Sequence, residues 1–88
     1  MRITGKNILQ AAINKSPQSI MARDLKAWLA IATQSNWVGP ADVQSAFSQA
    51  RSLGGGKMWE FPMSASGVTI TAIIGFKGNG SIVVKKVQ

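Results

Sequence analysis

The sequence predicts an α+β fold, with two or three N-terminal helices packed on one face of a three- to four-stranded antiparallel sheet. Two observations predict it. Apolar residues recur at spacings of three and four through the first half, then alternate with a period of two after Gly54-Gly55-Gly56. Helices followed by a run of strands is the order of a domain whose helices cover one side of a meander. With 88 residues, a single domain spanning 1–88 is expected.

Taken in order, residues 2–4 are β-compatible and fit a short edge strand. Residues 7–14 carry Ile8, Leu9, Ala12 and Ile13 on one side, the pattern of a short amphipathic helix. Ser16 and Pro17 read as a stop and restart, with Ser16 as cap and Pro17 in the first turn. The next helix is predicted over 17–34, because Met21, Leu25, Trp28 and Ala32 form one stripe that Leu29 widens. Trp28 is read as core. A loop at 35–39 contains Trp37, the aromatic expected to be exposed. Pro40 opens a third helix over 41–50, with Asp42 at the positive end of its dipole.

The strands centre on residues 68–76. Val68, Ile70, Ala72, Ile74 and Phe76 share one face; Thr69, Thr71, Ile73 and Gly75 share the other. Residues 57–63 form a preceding strand, with Lys57, Trp59, Phe61 and Met63 together and Pro62 ending its pairing. Trp59 and Phe61 are core candidates that could also stack bases. Residues 64–67 are a turn. Residues 76–81 supply hairpin glycines, and 82–87 form the last strand.

Composition limits the chemistry. There is no Cys, no His and no Tyr. Disulfides, thiolate catalysis and the usual metal ligands are excluded, and neither a metal nor a cofactor is expected. Asp24, Asp42 and Glu60 are the three acids, in separate segments. Ten Lys and Arg against them give +7. Such a charge suits a polyanionic partner (RNA, DNA, the ribosome, an anionic membrane or an acidic protein), or it serves solubility alone. The helix at 41–50 has no Lys or Arg, which argues against reading a DNA major groove. The start, Met1 to Lys6, lacks an apolar leader core, so a cytoplasmic protein without a membrane partner is expected.

Several residues together resemble a known family. They are Leu25-Lys26-Ala27-Trp28, Trp37-x-x-Pro40-x-Asp42-Val43-x-x-x-Phe47, Leu53-Gly54, the basic Lys57 with Phe61, and the strand after them. This set resembles the HigB-type branch of the RelE/ParE toxins, over nearly the whole chain. The resemblance implies a RelE-like sheet under helices, an antitoxin partner, and metal-independent messenger-RNA cleavage on the ribosome. In such cleavage the RNA 2′-hydroxyl attacks its own phosphate and basic side chains stabilise the charge. The chain departs from that pattern in two places. Thr69 stands where similar toxins usually carry Arg, and the chain stops at Gln88 without their Gly-Thr-His-x-x-Tyr-Asp type tail.

Two functions are therefore expected in competition. One is a HigB-like, RNA- and ribosome-binding interferase using Lys57, Lys85 and Lys86. The other is an inactive binding module of the same fold, for example a phage-encoded inhibitor of a protein or nucleic-acid complex. The binding residues expected in either case are Arg51, Lys57, Lys77, Lys85, Lys86 and Trp37. Lys57 and the Lys85–Lys86 pair are expected to converge on one patch. The competing reading is that these are solvated lysines protecting sheet edges. Glu60 is read as the partner of a neighbouring lysine.

Overall fold

Met21, Leu25, Trp28 and Ala32 return to one side of a helix every three or four residues, so a helix there buries a continuous stripe. In the computed structural model, which describes residues 1–55, 57–78 and 80–88, that helix is α2 (Ile20–Gln34). Ala22, Leu25, Trp28 and Ala32 are its buried residues. It starts three residues later than the Pro17 restart suggests. Ser19, not Ser16, is the cap: its Oγ accepts from the Ala22 amide at 3.1 Å and donates to the Ser16 carbonyl at 2.7 Å. The remaining elements are β1 (Arg2–Thr4), α1 (Lys6–Lys15), α3 (Pro40–Ala46), β2 (Arg51–Ser52), β3 (Met58–Pro62), β4 (Thr69–Gly75) and β5 (Ser81–Val87).

The antiparallel three- to four-stranded sheet expected from the sequence is corrected here. The chain begins with a strand, and the sheet has five strands in the order β1-β5-β4-β3-β2. It is mixed, because β1 runs parallel to β5 with Arg2 opposite Ser81, Ile3 opposite Ile82 and Thr4 opposite Val83. The physical reason lies in the free edge of β5, which presents unpaired amides and carbonyls that β1 covers. The chain then crosses over β5 to start α1, and Gly5 makes that crossing. Its φ is +87°, and a Cβ there would lie 2.7 Å from the Val84 carbonyl oxygen. The short strand β2 is also new. It pairs Arg51 with Glu60 and Ser52 with Trp59, just past the predicted end of the third helix at residue 50. That helix stops at Ala46, and Gln44 Nε2 donates to the Ala50 carbonyl, tying its end to the entry of β2.

The helices cover one face. Trp59, Phe61, Ile70, Ala72, Ile74, Ile82 and Val84 point into the core with Leu9, Leu25, Trp28 and Val43. Phe61 is the hub of the aromatic packing. Its ring centroid lies 5.3 Å from Trp28 and 5.3 Å from Phe47, edge-on in both cases, and 6.4 Å from a stacked Trp37. Trp37 is only 5% exposed. The exposed aromatic expected in the 35–39 loop is therefore a core residue, held there by Phe47 and Phe61. The opposite face of the sheet is open. The glycine run at 54–56 and the hairpin turn expected at 76–81 include Gly56 and Asn79, which lie outside the described residues.

Candidate polyanion-binding groove

The strand register decides which side chains share the open face. Three cross-strand rows fall on it. The first is Arg51–Glu60–Thr71–Lys86, the second Met58–Ile73–Val83–Thr4, and the third Gly75–Ser81–Arg2. The first and third carry basic residues. The middle one is largely apolar, and Met58 in it is exposed.

The predicted site residues separate along these rows. Arg51 is held by Glu60, with Nη2 and Oε1 3.1 Å apart. The carboxylate thus pairs with an arginine rather than the lysine expected from sequence. Lys86 sits opposite Thr71, while Lys85 occupies the irregularity between the Ala72–Val84 and Thr71–Lys86 pairs. Lys57 lies at the other end of the sheet, where its carbonyl accepts from the Ile74 amide at 2.7 Å. An offset of three residues along β4 and two strands across it sets the backbones of Lys57 and Lys86 roughly 14 Å apart. The expected convergence of Lys57 with Lys85 and Lys86 does not occur, because β4 lies between them and the register displaces them. Trp37 is buried and reaches no surface.

Lys57 and Lys77 do come together. Both line a cavity of about 610 Å³ whose walls include Ile73, Gly75, Phe76 and Ser81. A second cavity of about 420 Å³ is lined by Arg2, Lys77, Gly80 and Ser81. The two share Lys77 and Ser81, so they adjoin at the end of the sheet, one beside β1 and β5 and the other beside β4 and the start of β3. The three strand spacings from β1 to β3 span roughly 14 Å. The floor between them is low because Gly75 and Ser81 face each other in the third row. Among the described residues, no acid lines either cavity.

The acids are engaged elsewhere. Asp24 Oδ2 accepts from the Ser66 amide at 3.1 Å, and Asp42 Oδ2 accepts from the Val38 amide at 2.9 Å. Among the described residues, Arg51–Glu60 is the one ion pair. Of ten Lys and Arg, nine therefore have no carboxylate partner there. Cations along a concave surface without neutralising acids give a positive potential that attracts polyanions.

Arg2 and Phe76 are the lining residues that sequence reasoning missed. Arg2 belongs to the site only because β1 pairs with β5, which three residues cannot announce. Phe76 carried a signal in its position, since it ends an apolar row directly before Lys77.

Neither a known protein family nor a curated protein matches the chain. The resemblance to HigB-type toxins rests on the quoted residues alone. Among the described residues, no helix is long and apolar enough to cross a membrane.

Proposed function

We propose that this protein binds RNA, free or on the ribosome, through the adjoining cavities lined by Arg2, Lys57 and Lys77. The observation that carries this reading is a pair of adjoining cavities that share Lys77, one also lined by Lys57 and the other by Arg2, with no acid among their described lining residues. Phosphodiesters fit such a surface, since each phosphate displaces condensed counterions when a cation replaces them. Binding is favoured over cleavage because the lysines expected to share a scissile phosphate lie at opposite ends of the sheet.

The test is fluorescence anisotropy with labelled single-stranded RNA at several salt concentrations. Three phosphate contacts predict that log K falls with log salt at a slope of about −2. Lys57→Ala, Lys77→Ala and Arg2→Ala should each reduce that slope by about 0.7. Arg23→Ala and Lys26→Ala, on the helical layer, should leave it unchanged. Loss of binding in the helical pair with none in the cavity variants would refute the assignment.

A second reading is favoured by the apolar row. Met58 and Leu53 are exposed large hydrophobics beside the basic rim, which suits an acidic protein surface with an apolar centre. In that case Met58→Asp abolishes a protein complex and leaves RNA affinity within twofold.

A further inference from the structure

The chain has three Trp and three Phe. Trp28, Trp59, Phe61 and Trp37 are buried. Phe47 is half-buried, with its ring edge-on to Trp37 and Phe61 and tilted against Trp28. Phe76, like Phe47, is half-buried against the core, but it alone of the aromatic residues lines the larger cavity beside two lysines.

From this we infer that the 610 Å³ cavity is a nucleotide subsite, in which a base packs on Phe76 at the end of the sheet and its phosphate lies between Lys57 and Lys77. The inference rests on the RNA-binding reading and adds to it. It makes the ligand a nucleotide with an unpaired base, so a paired strand is excluded. Three features support it. The volume lies within the range of small-ligand sites, which combine an apolar lining with a few polar groups. Aromatic side chains offer bases a stacking surface that any base can use. Both lysines line the same cavity, so their positive potentials add where a phosphate would sit. A duplex hides its bases in the stack and offers this cavity nothing but backbone.

The shared chemistry is a planar base with a phosphate, and its source is either a free nucleotide or one unit of a single strand. The experiment compares a labelled single-stranded 8-mer, the same sequence as a duplex, adenosine 5′-monophosphate and inorganic phosphate, all against the full chain. Gly75→Leu places a side chain in the cavity without removing a cation. Gly75 is exposed, and a Cβ there meets only Ser81 Oγ, at 3.2 Å. Phe76→Leu keeps an apolar side chain but removes the ring. Unchanged circular dichroism and melting temperature certify each variant; where Gly75→Leu melts early, Phe76→Leu alone decides.

The expected result is single-strand binding at least tenfold tighter than duplex, reduced about tenfold by either variant, the scale of one stacked base. Duplex affinity should not change. Adenosine 5′-monophosphate binding tighter than phosphate, and lost in the same variants, also supports the subsite; without oligonucleotide binding it makes the source a free nucleotide and defeats the RNA reading. Equal affinity for single strand and duplex, insensitive to both variants, overturns the subsite and leaves the RNA reading standing. No binding to any nucleic acid or nucleotide overturns both.

Discussion

Gly5→Ala tests the parallel strand pair directly. At φ +87° an alanine pays the left-handed penalty, about 1–2 kcal/mol. The added Cβ also meets the Val84 carbonyl oxygen at 2.7 Å. That partner is backbone, so no rotamer change relieves the contact, and β1 must move away from β5. Overpacking of this kind typically costs about 1–3 kcal/mol. The sum expected is about 2–5 kcal/mol, a large share of the roughly 5–15 kcal/mol that holds a domain together. At about 4–8 °C per kcal/mol for a chain of this size, the melting temperature should fall by roughly 8–40 °C. Gly67→Ala is the control. It has φ +79° with nothing within 4 Å of the new Cβ, so it carries the backbone penalty alone. Thermal melts of both variants give the difference, and hydrogen exchange locates it. Protection should fall at Ile3, Thr4 and residues 81–84, and persist at the β3–β4 pairs. Equal destabilisation by the two variants, or uniform loss of protection, would refute the claim that β1 is docked against β5.

Three further perturbations probe the core, a cap and the surface pair. Phe61→Ala removes the hub of the aromatic cluster and should lower stability by about 3–5 kcal/mol, measured by urea denaturation, with loss of the near-ultraviolet circular dichroism of the packed Trp28 and Trp37. Ser19→Ala should cost about 1 kcal/mol in the same assay, because the Ala22 amide loses its acceptor, whereas Ser16→Ala should be near neutral. A double-mutant cycle on Arg51 and Glu60 should return less than about 1 kcal/mol of coupling, since the arginine side chain is 65% exposed and the pair is screened by solvent.

What the sequence conveyed follows from how local each signal is. The buried face of β4 was legible because alternation over seven residues forces Ile70, Ala72 and Ile74 to one side whatever the partner strand. The stripe of α2 was legible for the same reason at helical period. The fate of β1 was not, because Arg2, Ile3 and Thr4 give one inward residue and no indication of strand direction. Its parallel pairing is decided by the free edge of β5 and by a close approach at Gly5, both tertiary facts. Trp37 misled because its neighbours Ser35, Asn36 and Gly39 read as solvated loop. The rings that draw it inward, Phe47 and Phe61, lie ten and twenty-four residues away.

The candidate site shows the same division more sharply. Residue types alone identified an excess of cations, but register decided which of them act together. Lys57 and Lys86 flank the same strand, and a shift of three positions along it removes them from any common phosphate. Lys77 and Arg2, seventy-five positions apart in the chain, border one cavity because the last hairpin returns β5 to lie beside β1. An apolar middle row on the open face would ordinarily invite association between copies, yet each copy carries +7, and like charges oppose that pairing. The same charge favours a partner that brings phosphates. The basic ends of the sheet thus disfavour self-association and attract a polyanion through a single electrostatic term. That term weakens with added salt, which is why salt dependence is the sharpest observable for this surface.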